Sequence, residues 1–232
     1  MRKAILLVMP ILISLNFLTF AQELKTFGGA GYFAVGLNFL NIKDLNHVLK
    51  QNGYAEFSRG FITMGGAGYG QIGKFLIGGE GMRILQKKKE SNDKNLTLAG
   101  GYGMFKLGYV LFRKSNLFVY PYAGIGGGGV NLKIFENKVV NFNDAVANPK
   151  KVFDAVNSNL IFDAGISGEY RFGRHGGFMF GIKAGYLFSP VVGDWKMAGE
   201  VGMSNGPKVG VDGFYIQIML GGFGFGKIER KR

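Results

Sequence analysis

Six ionisable residues sit where charge is out of place. Glu80, Lys106, Asp163, Glu169, Arg171 and Lys183 lie inside apolar, glycine-rich segments, each on the parity opposite the greasy side chains. Strand side chains alternate between two faces, so these six are expected to share the inner face of a sheet. Charges taken out of water must pair to be tolerated, and three acids here meet three bases. Lys183 is expected opposite Gly165 or Ser167 on a hairpin, with Asp163 and Glu169 as its diagonal partners. Such a set can make a salt-bridged plug, which is the expected reading, or a polar track for a small solute.

Other chemistry finds little support. The chain has two histidines: His47 falls beside Asp44 on a candidate loop helix, and His175 falls in a turn. No serine is paired with His47 by spacing, Ser58 and Ser189 being merely on nearby rims, so no catalytic residue is assigned and an enzyme is not expected. Gly124-Ile125-Gly126-Gly127-Gly128-Gly129 matches the dinucleotide fingerprint in letters. No helix follows it and no parallel sheet is plausible, so no cofactor is expected. Acidic residues are scattered and no histidine pair stands at i, i+4, which gives no metal site. The chain has no cysteine, hence no disulfide and no thiolate site.

Eight segments carry the alternation that would position the six charges. In Leu160 to Phe172, Leu160, Phe162, Ala164, Ile166, Tyr170 and Phe172 share one parity, and Asp163, Gly165, Ser167, Glu169 and Arg171 the other. The remaining segments are Thr26 to Phe39, Phe61 to Ile72, Phe75 to Ile84, Leu98 to Phe112, Leu117 to Asn131, Phe178 to Phe188 and Phe214 to Phe225. The segment from Leu117 is apolar on both parities, so its register is open. A greasy face beside a charged one suits a barrel with lipid outside and a polar interior. Connections after the second, fourth and sixth segments are short and the others long, as in bacterial outer-membrane barrels. Helices are expected in two outer loops, Lys43 to Gln51 with Gly53 as its stop signal, and Pro149 to Val156. Gln86 to Asn95 reads as a charged loop whose Lys87, Lys88 and Lys89 form a solvated face.

Residues 1–21 read as a secretory signal peptide: Arg2 and Lys3, an apolar run from Ala4 to Phe20, and small residues at Thr19 and Ala21. Residues 22–232 are then one barrel domain. Forty glycines in 232 residues is more than double the usual share of about 7%, and a narrow barrel has use for them where its interior must be filled without clashes. The 22 phenylalanines and 10 tyrosines suit a lipid-facing surface with aromatic girdles. The net charge of +13 points to anionic lipid head groups of the lipopolysaccharide type, or simply to solvated loops, and not to nucleic acid.

These features resemble the small eight-stranded outer-membrane barrels, the OmpA, OmpX and OmpW-like group. The resemblance covers Gln22 to about Phe225 and rests on architecture, not on a motif. It implies an all-β, eight-stranded, antiparallel, up-and-down transmembrane barrel with short loop helices, residence in the cell outer membrane, and assembly by the barrel machinery. Phe214, Tyr215, Phe223 and Phe225 would serve that machinery as an aromatic last strand. Members often end on a terminal aromatic, whereas this chain runs on as Lys227-Ile228-Glu229-Arg230-Lys231-Arg232. No peptidoglycan-binding domain is expected after the barrel. The function expected is a monomeric, packed-lumen membrane protein with a structural or surface-binding role through its outer loops. The alternatives are a narrow channel or transporter for small solutes, a lipid-modifying enzyme, and a soluble lipocalin-type barrel with its greasy face inward.

Overall fold

A computed structural model describes residues 26–91, 93–136, 141–143, 152–198 and 200–227. The signal peptide expected at residues 1–21 lies outside the described residues. The chain forms strands β1 (Thr26–Leu40), β2 (Gly60–Ile72), β3 (Phe75–Ser91), β4 (Lys94–Tyr109), β5 (Phe112–Lys114), β6 (Leu117–Glu136), β7 (Phe153–Val156), β8 (Asn159–Phe172), β9 (Gly176–Val192), β10 (Trp195–Met197), β11 (Val201–Met203) and β12 (Gly213–Lys227). Helix α1 spans Lys43–Gln51. Eight long strands make the ring, in the order β1, β2, β3, β4, β6, β8, β9, β12, every neighbour antiparallel. The ring closes through β1 and β12, paired from Thr26 with Lys227 to Leu40 with Gly213. Closure leaves no sheet edge, the condition for crossing a bilayer with strands. No helix among the described residues is long and apolar enough to do so.

The two parities face opposite ways, as the alternation demands. Phe33, Val35, Leu37 and Phe39 of β1, Ile182 and Tyr186 of β9, and Ile216 and Leu220 of β12 are exposed, while Asn38, Lys183 and Gln217 on the same strands are buried. A soluble lipocalin-type barrel would carry this apolar parity inside; here the faces are the reverse. The open register of Leu117 to Asn131 is settled by its neighbours. Pairing with β4 and β8 turns Phe118, Tyr120 and Tyr122 inward and Leu117 and Ile125 outward.

Three expectations are corrected. Gln86 to Asn95 is not a loop: β3 and β4, with β6 paired on the other side of β4, run past the ring as an extension to Ser91, Lys94 and Glu136, after a register shift between Ile84 and Lys87. Lys87 is not simply solvated. Its Nζ donates to Ser58 Oγ at 2.7 Å and to Gly60 O, and lies 4.5 Å above the Phe61 ring. Partial burial, and then Lys89, hold its pKa below the ordinary lysine value. A helix over Pro149 to Val156 is overturned at its end, where Phe153–Val156 is strand β7, paired to Asn131–Ile134 of β6 and to β10. Residues 149–151 lie outside the described residues. Helical spacing there lost to an available sheet edge, since propensity yields to tertiary pairing.

Glycine serves both faces, not only the interior. A Cβ on Gly165 would stand 2.4 Å from the Tyr122 hydroxyl, so that glycine makes room for an inward ring. Gly31 faces out, paired with Gly222 on one side and Gly68 on the other, and a Cβ there would meet nothing within 4 Å.

Candidate functional site

The barrel interior is layered, and each layer follows from which inward residues share a height. The middle layer holds the charges. Glu80 on β3 and Lys183 on β9 lie on opposite sides of the ring and bond directly across the lumen. Lys106 on β4 joins them, 3.1 Å from Glu80 Oε2 and 2.7 Å from Asp163 Oδ2. Tyr215 donates its hydroxyl proton towards Asp163, 3.0 Å from each carboxylate oxygen, and sits 2.6 Å from the Tyr122 hydroxyl.

Nearer the short turns, Arg171 and Glu169 form a second cluster. Arg171 Nη2 lies 3.1 Å from Glu169 Oε2 and donates to the Tyr69 hydroxyl at 2.8 Å. Its Nη1 donates to Gln71 Oε1 at 3.3 Å. Tyr69 donates to Glu169 at 2.6 Å, and Tyr120 donates to the other carboxylate oxygen. The guanidinium packs 3.6 Å above Phe118 and 4.8 Å from Phe225. All six expected residues therefore enter ion pairs, and three positive charges meet three negative ones.

The pairing within the set differs from expectation. Ser167 does stand opposite Lys183 and Glu169 is its diagonal neighbour in the register, but neither Asp163 nor Glu169 forms its ion pair. Lys183 reaches Glu80, four strands away around the ring, because Asp163 is taken by Lys106 and Glu169 by Arg171. The pairs that could be counted along one hairpin lost to pairs made across a narrow lumen. The tyrosines were the missed members. Their number suits a lipid-facing surface, yet Tyr69, Tyr102, Tyr120, Tyr122 and Tyr215 point inward: Tyr69, Tyr120 and Tyr215 donate to carboxylates, Tyr102 accepts from Gln217, and Tyr122 bonds the Tyr215 hydroxyl. The available signal was parity: Tyr69, Tyr102 and Tyr215 share the face of the glycines and charges. Phe223 and Phe225 also turn towards the lumen end, beside Arg171.

The outer mouth is sealed differently. Leu40, Ile42, Leu45, Leu49, Phe57, Phe61, Ile84, Leu96, Leu98, Val130, Leu132, Trp195, Val209 and Val211 form one buried apolar cluster. Helix α1 contributes Leu45 and Leu49, and Gly53, at φ 74°, ends it. The loop after α1 is clamped by Asn46, whose amide donates to Phe57 O at 2.8 Å while its oxygen accepts from Phe57 N–H at 2.9 Å. One cavity within the charged lumen, beside Lys106 and Lys183, measures about 30 Å³, room for one or two waters. Above the apolar cluster, between α1, β7 and the β10–β11 hairpin, a cleft of about 880 Å³ opens, lined by Leu45, Leu49, Leu132, Ile134, Phe153 and Trp195.

His47 and Asp44 are exposed on α1, and among the described residues His47 hydrogen-bonds neither Asp44 nor a serine. Ser58 instead accepts from Lys87. Gly124 to Gly129 lies in the middle of β6, paired with β4 throughout and with β8 as far as Gly128, with no phosphate-cradling loop. Among the described residues no three acidic or histidine side chains gather as a metal site.

A closed ring with lipid-facing apolar parity, a charged interior and short turns at one end defines a transmembrane β-barrel of the outer-membrane type. Among solved structures, the chain is similar to Ail, the attachment invasion locus protein of Yersinia pestis in complex with the heparin analogue sucrose octasulfate. The identity is 9%, over 87% of this chain and 99% of that one, with a TM-score of 0.47. It is also similar to the outer membrane protein OprG from Pseudomonas aeruginosa, at 11% identity over 89% of this chain and 98% of that one, TM-score 0.40. Neisserial surface protein A matches at 12% identity over 88% and 97%, TM-score 0.33. No protein-family model and no curated protein matches the chain.

Proposed function

We propose that this protein is a monomeric outer-membrane barrel that conducts nothing and binds at the cell surface through its outer loops. The observation that carries the reading is the contrast between a lumen cavity of about 30 Å³ and an outer cleft of about 880 Å³. Glu80, Lys106, Asp163, Glu169, Arg171 and Lys183 act as a plug: each charge is compensated in place, which leaves none to pass along a track. The apolar belt meets outer-membrane lipids, anionic head groups included, and the aromatic last strand is what the assembly machinery engages. Reconstitution in planar bilayers tests the reading. No conductance above the bare membrane is expected at moderate voltage. Reproducible single-channel steps would overturn the plug and favour a narrow channel for small solutes.

A further inference from the structure

The turn end of the barrel carries two guanidiniums, Arg113 and Arg174, that the plug does not use. A cavity of about 250 Å³ opens there, lined by Arg113, Arg171, Arg174 and His175 together with Phe118 and Phe225. Among the described residues no carboxylate lines it. Glu169, just inside, is already saturated by Arg171, Tyr69 and Tyr120. Among the described residues neither Arg113 nor Arg174 has an ion pair. The turns at this end, residues 73–74, 110–116 and 173–176, contain Lys74, Arg113, Lys114, Arg174 and His175 and no acidic residue. Aromatic faces orient the cations: Arg113 lies 4.9 Å above Phe118, and Arg171 3.6 Å from the same ring.

We infer that this mouth is an oxyanion site that takes a phosphate group. Arg113 and Arg174 bring two further positive charges to a cavity that already holds Arg171, whose own charge Glu169 compensates, and a shared anion removes the repulsion between the two. Planar guanidinium forks match the oxygens of phosphate, and stacking on an aromatic ring pre-organises them. The cavity is larger than a bare phosphate, which fits a phosphate ester with a small polar substituent of glycerol size. By the loop-length asymmetry this end faces the periplasm, where such a group comes either from a small solute or from a phospholipid head group.

The experiment titrates the full chain, refolded in zwitterionic detergent, with inorganic phosphate and with glycerol 3-phosphate, followed by calorimetry. A parallel arm measures capture on phosphatidylglycerol vesicles against phosphatidylcholine vesicles. The variant is Arg113→Gln with Arg174→Gln, two exposed turn residues, with gel mobility before and after boiling as the folding control. Saturable phosphate binding, weakened at least about tenfold in the variant by the loss of charge-assisted hydrogen bonds, supports a site for a soluble ester. Binding confined to phosphatidylglycerol vesicles and lost in the variant supports the head-group source. No saturable binding in either arm, or binding equal in a correctly folded variant, overturns the proposal. Each single substitution, Arg113→Gln and Arg174→Gln, replaces the double variant should the latter fail to fold.

Discussion

The middle of the barrel and its outer mouth both exclude water, by opposite chemistry. The middle does it with six charges and their tyrosine partners, the mouth with leucines, isoleucines and a tryptophan. Ion pairs are exacting, because each partner must stand at one distance from another across the lumen. Apolar packing asks only for volume and tolerates a loop that arrives from any direction. That difference matches where each is found. The charges all sit on strands held by the closed ring, whereas the mouth adds α1 and connecting segments, through Ile42, Leu45, Leu49, Phe57, Val209 and Val211, to the ends of the strands. A charged layer is therefore expected to fail as a unit, and an apolar cap to fail locally.

The sharpest way to break the contrast is Glu80→Gln. It leaves Lys183 without its carboxylate and Lys106 with one carboxylate instead of two. A buried charge stripped of its partner costs about 3–5 kcal/mol, so the urea midpoint of the whole barrel in detergent should fall steeply. Glu80→Met with Lys183→Met should restore most of that loss, since an apolar pair of similar size replaces a buried ion pair at little net cost. A single variant as stable as the parent would mean the charged layer is no keystone.

Leu49→Ala comes next. It removes a buried side chain from the cap, at a cost of about 2–5 kcal/mol where a cavity is left. The loss should show as faster proteolysis in residues 41–59, with the heat-dependent gel mobility of the barrel unchanged. A fall in the barrel's own midpoint as large as that from Glu80→Gln would erase the distinction between the layers. Asn46→Ala, which cuts two hydrogen bonds to Phe57, should have a smaller effect of the same local kind, on the order of 1–2 kcal/mol.

The smallest effect lies on the surface. Asp154 on β7 pairs with Lys133 at 2.8 Å, and that hydrogen bond, with a second from Asn131, holds its carboxyl below the usual 3.8. A depressed folded pKa gives stability that is present above the unfolded value and is lost as pH falls through the folded one. Amide exchange along the β6–β7 ladder should therefore quicken only below about pH 3.8, while the charged middle layer keeps its protection. Solvent screening keeps the effect small. Asp154→Asn should remove the pH dependence; its persistence would assign the opening elsewhere.

Much of this was legible residue by residue. The parity of Leu160 to Phe172 identified both faces of β8, and the same count placed Glu80, Lys106 and Lys183 on the inner face of their strands. Lys43–Gln51 was readable as a helix because Leu45 and Leu49 recur at helical spacing before Gly53. The errors have one source. The extension of β3, β4 and β6 past the ring, strand β7 and the inward turn of Tyr120 and Tyr122 depend on which strand lies alongside, and a local pattern does not carry that information.

The chain's own order of residues determined the number of ring strands, the face each side chain takes and the balance of three acids against three bases. These follow from alternation, whose period of two is a property of the extended backbone alone. Only the tertiary structure decided who meets whom. Lys183 finds Glu80 because closing the ring sets β9 opposite β3, and distance across a lumen is a property of the closed circle that no single strand contains.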